Sequence, residues 1–80
     1  MTQKTDARPL YVIAHDIAQD WDRPNFGAVP YLEALADLDD IADDYGYDSG
    51  RSIVLYFLSN AATWRGETAR RIKPELKTLL

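Results

Sequence analysis

His15 and Asp16 stand next to each other, and an adjacent imidazole and carboxylate is the pairing with which metal-dependent phosphohydrolases build a ligand set. Such a site draws further histidines from other elements, and His15 is the sole histidine of the chain. The bland reading, a surface or half-buried histidine, is therefore favoured over a metal ligand. Ser49, Ser52 and Ser59 would each need a positioned base to act as nucleophiles, and His15 is the one obvious candidate. The segment from Asp37 to Gly50 is rich in carboxylates, yet no register supplies Asp-x-Asp-x-Asp-Gly with a glutamate at the twelfth position, so a calcium loop fails on spacing. No catalytic residue, metal site or cofactor is expected, and the chain reads as non-enzymatic.

Two further segments carry chemistry of recognition. Leu38-Asp39-Asp40-Ile41-Ala42-Asp43-Asp44-Tyr45-Gly46 has the rhythm of the first helix and turn of a helix-turn-helix. A recognition helix must offer polar side chains to base edges, whereas the next helix offers Ile53 to Leu58, and the preceding one would bring Asp39, Asp40, Asp43 and Asp44 to phosphates. An amphipathic helix ended by a glycine is the better reading. Trp64 beside Arg65, with Arg70 and Arg71 two turns on, is an aromatic-plus-arginine cluster of the kind that anchors partners. Its structural alternative puts Trp64 in the core at a helix start and sets the arginines against an acidic stripe, and that alternative is favoured.

Charge is divided along the chain. The net charge is −4 over 80 residues, but residues 1–50 hold eleven acids against Lys4, Arg8 and Arg23, while residues 51–80 hold six bases against Glu67 and Glu75. The asymmetry suits internal pairing, head-to-tail association or a bipolar binding surface. The absence of cysteine removes disulfides and zinc knuckles and fits a reducing compartment. The N-terminal residues are too polar and mixed for a signal peptide, and the longest apolar run is far below the ~20 residues that span a bilayer. A cytoplasmic protein without membrane contact is expected.

The elements that must position these residues read as helices. A polar tail over 1–8, expected to be flexible, precedes a single domain over 9–80. Pro9 suits a helix start, and Leu10, Ile13, Ala14, Ile17 and Trp21 recur at helical spacing, which predicts a helix over 9–21. Asp22 to Gly27 is a turn, with Phe26 expected to plug the core. Tyr31, Leu35, Leu38, Ala42 and Tyr45 predict a second helix over 28–45, stopped by Gly46, whose opposite face carries Glu33, Asp37, Asp40 and Asp44. Asp48 or Ser49 can cap a third helix over 49–60, and Thr63 a fourth over 63–80, with a kink or break near Pro74. The fold class expected is all-α, a small bundle of four helices.

Ile53-Val54-Leu55-Tyr56-Phe57-Leu58 is apolar without a break. As a helix it is apolar all round and must be covered on several sides; as a strand its one mate would be Leu10 to Ala14, and two short strands make a poor sheet. In a small bundle, Ile53, Val54, Phe57 and Leu58 face inward and leave Leu55 or Tyr56 outward, able to pair with a second copy. Self-association and a protein partner are therefore expected. Nucleic-acid binding through the Arg65, Arg70, Arg71 and Lys73 face is the disfavoured alternative. A third possibility is that Glu33, Asp37, Asp40 and Asp44 imitate a nucleic-acid backbone and occupy a basic protein.

Phe26-Gly27-Ala28-Val29-Pro30-Tyr31-Leu32, Tyr45-Gly46-Tyr47-Asp48-Ser49-Gly50 and the run from Tyr56 to Glu67 resemble segments of small helical proteins encoded by actinobacterial phages, of the mycobacteriophage type. The likeness extends over nearly all of residues 9–80. It brings no catalytic residues to carry over, and Pro74 departs from it where a helix-compatible residue is expected. What the resemblance implies is a phage accessory protein acting in the cytoplasm of a bacterial host.

Overall fold

A computed structural model describes residues 7–80. Four helices, α1 (Leu10–Asp20), α2 (Val29–Leu35), α3 (Gly50–Ser59) and α4 (Glu67–Leu79), are joined by a two-stranded antiparallel hairpin, β1 (Asp44–Tyr45) with β2 (Asp48–Ser49), between α2 and α3. The protein is mostly helical, but it is not a pure all-α bundle.

Helix α1 follows its apolar spacing, burying Leu10, Ile13, Ala14 and Ile17. Pro9 stands one position ahead of it in an extended conformation and has no side chain to cap the helix. The first two N–H groups go instead to the backbone: Leu10 donates to the Asp39 carbonyl and Tyr11 to that of Leu38, each at 2.9 Å.

Those two carbonyls are free because α2 has already ended. The apolar spacing predicts a helix to 45, and the observed one stops at Leu35. Aspartate is a poor helix former because its short side chain competes for nearby backbone N–H groups, and the segment contains several. Asp43 Oδ2 accepts from the N–H of Asp39 (3.2 Å) and of Asp40 (3.0 Å), and Asp40 Oδ1 accepts from Ala42 N–H. Leu38 still reaches the core, while Ala42 and Tyr45 are exposed. The expected helical stripe is thereby dismantled: Glu33 lies on α2, Asp37 and Asp40 in turns, and Asp44 on β1.

Gly46 and Tyr47 form the two-residue loop of the hairpin, with Tyr45 opposite Asp48 and Asp44 opposite Ser49. Gly46 takes a φ of 65°, the first-position demand of a II′ turn that closes a right-twisted hairpin. It serves the hairpin turn, not the stop of a long helix. At the next element boundary glycine is required for space: a Cβ on Gly50 would lie 2.7 Å from the Ile41 carbonyl oxygen and 3.0 Å from that of Asp40. The Gly50 N–H also donates to the Asp43 carbonyl at 2.6 Å.

The apolar run is helical. Ser49 caps α3, its Oγ accepting from Ser52 N–H at 3.1 Å, and Ile53, Val54 and Phe57 are buried while Leu55 and Tyr56 face out. Helix α4 begins later than expected, after Gly66 at a φ of 111°, because Thr63 is not a cap; its Oγ1 donates to Asn25 Oδ1. Pro74 cannot donate to the Arg70 carbonyl, yet α4 continues as one element to Leu79, with Ala69, Ile72 and Leu76 buried. No break occurs at Pro74.

The aromatic plug of the core is also not the expected one. Phe26 is 95% exposed. Its place is taken by Trp21 stacked on Trp64 (5.7 Å, 14° between planes), with Phe57 edge-on to both at 6.2 and 6.4 Å. The buried set is wholly hydrophobic among the described residues.

Candidate interaction surfaces

The loop between α3 and α4 turns Trp64 inward, where it is 2% exposed and its indole Nε1–H donates to Asp20 Oδ2 at 2.8 Å. Trp64 therefore serves the core, and of the cluster Trp64, Arg65, Arg70 and Arg71 only the arginines are exposed. They do not share one face. Arg71 borders a polar cleft with Asp16, Gln19, Asp20 and Thr68, whereas Arg65 and Arg70 border a separate depression of about 410 Å³ with Lys73 and Lys77, lined also by Trp64 and Pro74.

Lys73 holds this depression together. Its ammonium donates to the carbonyls of Ala61 and Trp64, both at 2.7 Å, and lies 5.9 Å from the centre of the Trp64 ring. The same contacts cost it hydration, and burial pushes its pKa below the usual lysine value, with Lys77 and Arg65 adding like-charge repulsion. Arg65, Arg70 and Lys77 have no ion-pair partner among the described residues.

The expected pairing of these arginines with the acidic stretch is thus not what holds the chain together. Arg8 does the bridging instead: Nε and Nη2 donate to the two oxygens of Glu75, each at 2.8 Å, and Nη1 donates to Asp16 Oδ2 at 2.7 Å. The guanidinium holds the Asp16 carboxyl below its ordinary pKa. Residues 1–6 of the expected tail lie outside the described residues, and Arg8, at its end, is anchored to α1 and α4.

On α3, Leu55 and Tyr56 are 43% and 45% exposed, consecutive residues of the helix that buries Ile53, Val54 and Phe57. The Tyr56 ring leans on Tyr31 of α2 at 5.3 Å. Helix α4 borders the other side of this face. The Arg51 guanidinium donates to the Leu80 carbonyl at the start of α3, and Lys73 reaches Ala61 beyond its end, so α4 runs antiparallel to α3. Lys73 and Lys77 stand one turn apart on α4, and both line the depression.

His15 is exposed at the rim of a groove of about 700 Å³ between α1 and α2, whose walls include Tyr11, Ala18 and Leu32. Ser49 and Ser52 share a capping contact (Oγ to Oγ 3.2 Å), and Ser59 Oγ donates to the Leu55 carbonyl. Among the described residues no three metal-capable side chains converge, and no helix is long and apolar enough to cross a membrane. Lys73 and Arg8 are the functional side chains that the sequence pattern did not single out for these tasks, since their partners are carbonyls and carboxylates distant in the chain. Comparison with protein-family models, curated proteins and solved structures finds no match.

Proposed function

We propose that this protein works without catalysis, by protein–protein interaction, and that one of its partners is a second copy of itself. The observation that carries the reading is the outward pair Leu55 and Tyr56, two large apolar side chains left open in the middle of a helix whose opposite face, Ile53, Val54 and Phe57, is buried in the core. Apolar surface of this kind lowers the free energy of association when a like surface covers it. A C2 pairing brings Leu55 and Tyr56 of each copy to the same patch. The resemblance of residues 26–32, 45–50 and 56–67 to actinobacterial phage proteins supports a phage accessory role in the host cytoplasm, with a host or phage protein as a further partner.

Leu55→Glu places a charge on this face and leaves the core untouched. The variant is expected to be monomeric with an unchanged helical circular dichroism spectrum. Equal association of variant and wild type by light scattering would refute the reading.

A second reading rests on the depression rimmed by Arg65, Arg70, Lys73 and Lys77, whose cation density suits a nucleic-acid backbone. It predicts gel-shift binding that falls steeply with salt. No shift of single- or double-stranded nucleic acid at low salt would remove it.

A further inference from the structure

The two ends of α3 differ in their balance of charge, aspartates outweighing Arg51 at its start and cations outweighing Glu67 beyond its end. The hairpin runs directly into its first residue and carries Asp44 and Asp48, with Asp43 one position earlier; all three are exposed, and Tyr47 at the hairpin tip is fully exposed. At the other end, about 15 Å away for a ten-residue helix, the chain turns into the part of the depression rimmed by Arg65, Arg70 and Lys73. Two copies pairing through Leu55 and Tyr56 must choose an orientation. Parallel helices would set aspartates on aspartates and cations on cations. Antiparallel helices set each acidic hairpin beside the other copy's cations, twice over by symmetry.

We infer that two copies of this chain pair with their α3 helices antiparallel, the Asp44–Asp48 hairpin of each seated at the Arg65 and Arg70 rim of the other. The inference rests on the proposed self-association through α3 and adds to it an orientation and a second contact. Several features of the receiving site fit. Arg65 and Arg70 make no ion pair among the described residues of their own chain. The depression is also lined by Ala69 and Pro74, an apolar bed for an aromatic ring, and Tyr47 at the hairpin tip is a fully exposed ring with Asp48 next to it in the chain. Mutual repulsion among Arg65, Lys73 and Lys77 is also relieved when acids approach.

Cross-linking tests the orientation cleanly, because the chain contains no cysteine. The full chain is prepared as Tyr47→Cys and, separately, as Arg65→Cys, and both are treated with a short bis-maleimide alone and as a mixture. The inference expects covalent dimers in the mixture and few in either variant alone. Dimers of Tyr47→Cys with itself and of Arg65→Cys with itself, in place of mixed ones, would mean parallel helices and overturn it. A dimer seen by sedimentation in all samples with no cross-link in any would leave the α3 face standing and overturn the hairpin contact. A monomer throughout would overturn the α3 reading and this inference with it. As a check that does not use cysteine, Asp44→Lys with Asp48→Lys should weaken dimerisation about tenfold, the sum of several exposed pairs, and unchanged affinity would count against the contact.

Discussion

Replacing Gly50 with alanine separates the observed path of residues 36–49 from the long helix that the apolar spacing predicts. Were α2 to run to residue 45, position 50 would be an open helix start, where alanine is favoured over glycine by up to about 1 kcal/mol. In the structure the added methyl meets backbone on two sides, 2.7 Å from the Ile41 carbonyl oxygen and 3.0 Å from that of Asp40. Overpacking of this kind costs about 1–3 kcal/mol, and here the obstructing atoms are main chain, which yields less than a side chain tip. Moving them shifts the neighbouring carbonyls of Leu38 and Asp39, which cap α1 through 2.9 Å bonds, each worth about 1 kcal/mol. With the helix-propensity gain subtracted, the loss comes to about 2 kcal/mol, or a fall in Tm of about 8–16 °C for a domain this small. Thermal unfolding followed by circular dichroism at 222 nm measures it. A Gly50→Ala protein as stable as the wild type, or more so, would refute the packing of this segment against α3.

Three further substitutions have expected outcomes. Ser49→Ala removes the oxygen that accepts from Ser52 N–H and should lower stability by about 1 kcal/mol in urea denaturation; an unchanged midpoint would contradict the cap. Arg8→Gln should cost under about 1 kcal/mol at neutral pH, because the bridge to Asp16 is partly exposed and screened. Asp16 is held below its ordinary pKa of 3.8, so its contribution is full above that value and is lost as the pH falls through the lower folded-state value. The gap between Arg8→Gln and wild type should therefore narrow in acid, and a gap that widened would contradict the sign. Lys73→Met leaves the Ala61 and Trp64 carbonyls without their donor and should cost about 1–3 kcal/mol, read from tryptophan fluorescence during unfolding. Equal midpoints would contradict its role as the clamp of the loop between α3 and α4.

Where local chemistry and long-range packing agree, the fold was legible from the residues. Helices α1 and α3 have the expected cores and bounds within a residue, and Ser49 caps as its position suggests. The second helix misled because Leu35, Leu38, Ala42 and Tyr45 keep a helical rhythm past the point where Asp40 and Asp43 turn their side chains back on the main chain. The rhythm records Leu38 reaching the core from a turn, not a helix. Phe26 looked like a plug because it is large and apolar; which aromatic fills a core depends on how loops return, and Trp21 and Trp64 return first. The basic rim was half visible, since Arg70, Lys73 and Lys77 recur at helical steps. That Arg71 faces a different cleft, and that Lys73 is tied to carbonyls nine and twelve positions back, required the tertiary arrangement.

In the proposed dimer the open face of α3 is covered by a second copy. Sedimentation velocity on the full chain, from low to high micromolar concentration in low and in moderate salt, tests it most directly. A concentration-dependent rise from the 9.1 kDa chain to twice that mass, stronger in low salt, is expected. A single species of 9.1 kDa at every concentration would contradict it.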